Sequence, residues 1–190
     1  SLYGAVREAG RHPQIGCVYG ALGGSGAVIA EKFLDLKTVP GEELELLLST
    51  PSSAIGTSRD HLEPEDYRAI ARVIGGHNIK YVFFNGGNGS MDACGKVYAA
   101  CKAQGLDVRV VGIPKTMDND IAVTDHCPGF ASAAKYIATS CMEVWQDAHV
   151  YDTGMITVVE IMGRHAGWLA GSAALATWAG FGPDLIYLPE

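Results

Sequence analysis

Short apolar runs bounded by glycine and polar clusters recur along this chain, with amphipathic stretches between them. The runs at 15–21, 81–85, 108–113, 155–161 and 184–188 are rich in Val, Ile, Phe and Tyr, and their lengths suit buried strands. The intervening segments predict helices over 1–9, after Gly23-Gly24-Ser25-Gly26, and over 64–74, 91–104, 131–147 and 165–177. Pro64 stands at a first helical position, with Glu63 and Glu65 near the positive end of that helix. A polar excursion occupies 39–60.

Strands separated by helices imply parallel pairing through right-handed crossovers. The expected class is therefore α/β: a three-layer, Rossmann-like, mostly parallel sheet with helices on both faces. No internal repeat, low-complexity tract or flexible linker interrupts the pattern, so residues 1–190 read as one domain. The chain enters directly in a helix and stops just after a strand. That pattern leads us to expect a portion of a longer protein, cut at both ends.

Composition narrows the classes. A hydrophobic content of 48% with 18% charged residues fits a well-packed α/β protein. The net charge of −7 and the absence of a basic stripe argue against nucleic acid or a membrane surface as partner. No apolar run reaches the roughly 18 residues of a membrane span, and no signal-peptide pattern opens the chain. The five cysteines (Cys17, Cys94, Cys101, Cys127 and Cys141) lack CxxC spacing, so reduced thiols and a cytoplasmic setting are expected.

Candidate chemistry gathers just beyond three of the predicted strands, where open α/β sheets place their ligands. Gly86-Gly87-Asn88-Gly89-Ser90 joins a strand to a helix, and its glycines let backbone amides approach a polyanion at the helix's positive end. It is neither a Walker A loop nor a dinucleotide fingerprint, and a plain strand-to-helix turn would also favour glycine. Pro114-Lys115-Thr116-Met117-Asp118-Asn119-Asp120 supplies a base, a cation and a metal contact. Glu160-Ile161-Met162-Gly163-Arg164-His165-Ala166-Gly167 offers close backbone approach and a planar guanidinium for a phosphate, or, more blandly, a local Arg164–Glu160 pair. Together these clusters would line one edge of the sheet. They make an inventory for phosphoryl transfer.

These motifs, with Thr124-Asp125-His126, Pro128-Gly129-Phe130 and the terminal Pro189-Glu190, resemble the 6-phosphofructokinase family in order and spacing across essentially the whole chain. By that resemblance the chain covers most of an amino-terminal half, the donor- and phosphate-binding domain. The implied activity is phosphoryl transfer from ATP or pyrophosphate to the 1-hydroxyl of fructose 6-phosphate in glycolysis, with Mg2+ as cofactor and a homo-oligomer as the assembly. Asp118 would be the general base and Arg164 would stabilise the phosphoryl group in transit. Lys115 would grip the leaving phosphate. Thr116, Asp120, Met162, Gly163 and Glu190 would contact the sugar phosphate or the transferring group. Arg59, Gly87, Asn88, Gly89 and Ser90 would hold the donor phosphates, and Asn88 and Asp120 would meet the metal.

Two positions depart from the family pattern. Asn88 replaces a magnesium-binding aspartate and offers only a neutral oxygen. Met155 stands nine residues before Arg164, where a second, intersubunit arginine is expected. The donor is set by opposing signals. Glycine at 89 resembles ATP users, because an aspartate there would crowd and repel a nucleotide α-phosphate. Lys115, and the wording around Ser90-Met91-Asp92 and Asp184-Leu185-Ile186-Tyr187, resemble the pyrophosphate branch. The steric argument favours ATP, with pyrophosphate as the alternative.

The remaining residues take ordinary roles. His12, His61, His77 and His149 are expected at the surface or at helix ends, with His126 as a neighbour of the site. Trp145, Trp168 and Trp178 are expected in the core, and Lys96 in solvent. Two other classes stay open: a lipid or NAD kinase sharing the glycine turn, and a non-catalytic sugar-phosphate-binding regulatory protein. The former has no need of the 114–120 motif or of Met-Gly-Arg, and Asp118 argues against the latter.

Overall fold

A computed structural model describes residues 1–50 and 52–189 of the chain. It divides into two compact units, residues 1–113 and residues 114–190.

The first unit opens with helix α1 (Leu2–Ala9), followed by strand β1 (Tyr19–Ala21), helix α2 (Ser25–Ile29) and strand β2 (Phe33–Asp35). β1 and β2 pair antiparallel, with Gly20 opposite Leu34. The sequence pattern placed a longer strand at 15–21 and did not predict β2. Only three residues of that run find a partner, and the partner arrives from a segment read as a loop. The polar excursion holds a short helix α3 (Gly41–Glu45), with Glu42 and Glu43 in its first turn, and a 3-10 turn, Leu46–Leu48.

Helix α4 (Pro64–Gly76) starts at a capping box in which the Glu63 side chain takes the Asp66 amide and the Asp66 carboxylate takes the Glu63 amide. Strand β3 (Tyr81–Gly86), helix α5 (Asn88–Ala103) and strand β4 (Arg109–Pro114) follow. The Arg109 amide bonds to the Lys80 carbonyl at 2.8 Å, and the Asn85 side chain reaches the Ile113 carbonyl at 3.1 Å. Register therefore climbs in the same direction on both strands, and the pair is parallel with α5 as its crossover. Ile70, Ala71 and Ile74 of α4 bury against Val97 and Cys101 of α5 and against Val108, the core of this unit. Each fully buried aliphatic side chain here contributes about 1.5–3 kcal/mol.

The second unit is built on helix α6 (Phe130–Ala148), against which α7 (Trp168–Gly171) and α8 (Ala174–Trp178) pack through Cys141, Ala173 and Ala176. The single helix expected over 165–177 starts late and is broken. Ser172 turns its hydroxyl back onto the Leu169 carbonyl at 2.6 Å, competing with the helical ladder where α7 ends. Neither apolar run at 155–161 nor that at 184–188 forms a hydrogen-bonded strand among the described residues. Ile156 is 94% exposed and Val158 88% exposed, so these runs have strand composition but no paired neighbour. The α/β class holds in the β3–α5–β4 crossover.

Two expectations about aromatic side chains are also corrected. Trp168 and Trp178 are exposed and do not fill a core. Trp145 stacks on His149 with ring centroids 3.7 Å apart and meets Phe181 edge-on. His77 ends α4 and bonds Glu31 at 2.6 Å, with Tyr19 and Phe33 against its ring. Lys96 is exposed as expected and pairs at the surface with Asp92 at 2.7 Å. All five cysteines are free thiols, and burial pushes those of Cys94, Cys101 and Cys141 upward.

Candidate active site

In the first unit, β3 ends at Gly86 and α5 begins at Asn88, three residues earlier than the sequence pattern placed it. Asn88, Gly89 and Ser90 are therefore the first turn of a 16-residue helix. No side chain caps that turn and it holds no acidic residue, so its leading amides remain available to an anion. Gly86 is buried, and a Cβ there would lie 2.7 Å from the Ser90 Cβ; glycine is required for the turn to close. Gly89 differs. A Cβ at Gly89 meets nothing within 4 Å. Next door, Met91 packs onto β4 so closely that a Cβ at Gly112 would stand 2.6 Å from its sulfur.

Arg59 lies on the exposed segment before α4, in the same unit. That segment is tied to the second glycine turn. The Gly23 amide bonds the Ile55 carbonyl at 2.9 Å, and the Gly26 amide bonds Asp60 Oδ2 at 2.7 Å. Sequence reasoning singled out Arg59 and passed over Asp60. The signal was its adjacency to Arg59 in a segment otherwise read as irregular.

In the second unit the 114–127 loop is organised by side chains. Thr116 Oγ1 accepts the Asp118 amide at 3.0 Å, closing a small turn. Asn119 is 9% exposed and left-handed (φ 59°), a conformation that asparagine tolerates better than most residues. Its Nδ2 donates to the Asp125 carbonyl at 3.0 Å and its Oδ1 accepts the Cys127 amide at 2.8 Å. Asn119 thus ties the middle of the loop to its downstream end, a role the sequence reading did not assign. Asp118 is half-buried, and its Oδ1 is fully buried with no hydrogen-bond partner among the described residues. A buried, partnerless carboxylate oxygen is costly and calls for a donor or cation. Lys115 and Asp120 are exposed and Thr116 half-buried.

Met162, Gly163 and Arg164 form a separate turn in this unit, and no hydrogen-bonded strand precedes it. Gly163 is left-handed (φ 133°), and a Cβ there would fall on the Ala166 carbonyl oxygen, so only glycine closes the turn. Met162 and Arg164 are exposed, and among the described residues Arg164 makes no pair with Glu160. His126 lies against Phe130 at the start of α6, 5.8 Å between centroids. Glu190, expected to bind a sugar hydroxyl, lies outside the described residues.

Among the described residues no group of three or more His, Cys, Asp or Glu side chains could hold a metal ion. The Asp120 carboxylate in the second unit and the neutral Asn88 oxygen in the first are each of a type that Mg2+, which commonly keeps several water and phosphate ligands, accepts. No described helix is long and apolar enough to cross a membrane.

Comparison with known proteins places these features. The chain is 40% identical to the pyrophosphate–fructose 6-phosphate 1-phosphotransferase of Rhodospirillum rubrum, over all of this chain and 47% of the relative. It superposes on the crystal structure of the pyrophosphate-dependent phosphofructokinase of Nitrosospira multiformis with a TM-score of 0.83 and 35% identity, covering 92% of this chain and 45% of that one. An ATP-dependent 6-phosphofructokinase of Amycolatopsis methanolica is 30% identical over all of this chain and 39% of its own length. The expectation that ATP is favoured over pyrophosphate finds no support in these relatives. The chain spans about half the length of the curated relatives it matches. The phosphofructokinase family model matches residues 2–190, and the chain belongs to that family.

Proposed function

We propose that this chain carries the catalytic base and the donor-phosphate turn of a fructose-6-phosphate 1-phosphotransferase, with pyrophosphate as the donor. The carrying observation is Asp118, whose buried Oδ1 has no hydrogen-bond partner among the described residues, on a loop held by Thr116 and Asn119. Asp118 takes the proton from the sugar 1-hydroxyl, and that oxygen attacks the terminal phosphorus of the donor. The bond to the bridging oxygen breaks, and phosphate leaves from pyrophosphate. Lys115 meets the leaving phosphate, while Arg164 stabilises charge on the phosphoryl group in transit. Thr116, Asp120, Met162, Gly163 and Glu190 contact the sugar phosphate or the transferring group.

The amides of Gly87, Asn88, Gly89 and Ser90, together with Arg59, hold the donor's phosphates. Phosphofructokinases generally use Mg2+, which when bound neutralises charge on those phosphates. In this chain Asp120 supplies the carboxylate toward it and Asn88 a weaker, neutral oxygen. The chain is read as the donor- and phosphate-binding domain of a homo-oligomeric, cytoplasmic enzyme of glycolysis.

Pyrophosphate is supported by Lys115 and by pyrophosphate-dependent relatives at 38–40% identity, against 30–34% for the ATP-dependent ones. One observation favours ATP as the second reading: the open space at Gly89 leaves room for a nucleotide α-phosphate. Assay of the full-length protein on fructose 6-phosphate with each donor supplied separately decides between them. Turnover with pyrophosphate at least as efficient as with ATP supports the first reading; turnover with ATP alone overturns it.

A further inference from the structure

Arg59 is an exposed cation with an aspartate as its immediate neighbour, yet among the described residues no carboxylate pairs with it. The reason lies in where the Asp60 carboxylate points. Its Oδ2 accepts the Gly26 amide at 2.7 Å. The neighbouring Ser58 hydroxyl and the Gly26 amide hold the Asp60 carboxyl below the usual carboxylate range.

The contact is built to fit. Gly24 is left-handed (φ 78°), and a Cβ there would fall on the Ser58 hydroxyl. A Cβ at Gly26 would stand only 3.1 Å from Asp60 Oδ2. Upstream, Gly56 (φ 72°) approaches Gly23, whose amide bonds the Ile55 carbonyl, while the Ser53 hydroxyl bonds the Gly56 carbonyl at 2.6 Å. The backbone on both sides of Arg59 is thus fastened to the 23–26 turn, and the one adjacent carboxylate is directed into that turn.

We propose that Asp60 is a positioning residue for Arg59. Anchored on the Gly26 amide, it fixes the segment that presents the guanidinium and withholds its own charge from it, leaving Arg59 free for a phosphate of the donor. This rests on the reading of Arg59 as a donor-phosphate ligand.

The test measures kcat and KM for the donor and for fructose 6-phosphate separately, in the full-length protein, for Arg59→Ala, Asp60→Ala and Asp60→Asn. Losing a charged hydrogen bond in Asp60→Ala is expected to raise the donor KM about tenfold or more, with the sugar KM within about twofold of wild type. Asp60→Asn keeps an oxygen for the Gly26 amide and is expected to recover most of that loss. If Arg59→Ala leaves the donor KM unchanged, the reading of Arg59 fails. If Arg59→Ala raises it and Asp60→Ala does not, the positioning role fails and the reading of Arg59 stands. Equal weakening toward donor and sugar with a lowered Tm, in both Asp60 variants, makes the contact merely structural and also overturns the proposal.

Discussion

The 86–90 turn and the 114–127 loop follow successive strands of the same parallel pair, yet they are built by opposite means. The turn is made of backbone. Gly86 removes a side chain so that Ser90 can close over it, and the first amides of α5 emerge uncapped. The loop is made of side chains: Thr116 holds the Asp118 amide, and Asn119 holds the Asp125 carbonyl and the Cys127 amide. Backbone amides form a fixed, weakly directional field suited to a diffuse polyanion. Side chains instead fix one atom, here the open oxygen of Asp118, a precision suited to the proposed general base. The contrast makes substitutions in the loop costly one atom at a time, and most side-chain changes in the turn mild.

The sharpest way to break this comparison is at Asp118. Asp118→Ser is expected to lower kcat by about 10²–10⁴-fold while leaving both KM values near wild type, since it removes the base and little of the binding surface. A variant that keeps more than about a tenth of wild-type turnover removes Asp118 from the role of base.

Gly89 tests the turn at a position where packing does not demand glycine. With open space at its Cβ, Gly89→Asp is expected to fold, and its carboxylate should disfavour any nucleotide α-phosphate. The expected result is a fall of about tenfold or more in kcat/KM for ATP relative to pyrophosphate, a discrimination of about 1.4 kcal/mol. An unchanged donor ratio would show that the opening at Gly89 is not where the nucleotide is read.

Asn119→Ala probes the loop's frame and not its chemistry. It strands the buried Cys127 amide and frees a left-handed residue of the side chain that suits it. A loss of about 1–3 kcal/mol in unfolding free energy is expected, read from denaturant melts, with kcat reduced as Asp118 loses its fixed position. Stability within experimental error of wild type would mean that the loop is held by something other than Asn119.

The smallest effect is expected at Asn88, an exposed side chain on a turn that works through its amides. Asn88→Ala should cost less than about tenfold in kcat/KM at saturating Mg2+, the scale of one neutral hydrogen bond. A loss approaching that of Asp118→Ser would make Asn88 a principal metal ligand and bring side-chain chemistry into the turn.

Local chemistry made much of this protein legible in its sequence. Pro64 with Glu63 and Glu65 marked the start of α4, to which the structure adds the Glu63–Asp66 capping box. The valine- and phenylalanine-rich runs at 81–85 and 108–113 become β3 and β4 because the crossover helix between them brings each its partner. The 86–90, 114–120 and 160–167 motifs were recognisable because their residue types are chemically unusual together, and the family they resemble is the one whose model matches residues 2–190. What the sequence could not supply was the identity of each segment's neighbour. The run at 155–161 has the same composition as β4 and forms no strand, since strand formation needs a hydrogen-bonding partner that no local pattern encodes. Residues 33–35 read as loop and become β2, because Tyr19–Ala21 happens to lie beside them. The same holds within the site. That Asp118 carries an open oxygen, that Asn119 ties the loop and that Asp60 turns away from Arg59 are facts of tertiary contact. Each depends on which backbone amide or carbonyl the folded chain brings, or fails to bring, within 3 Å or so of a carboxylate or amide side chain.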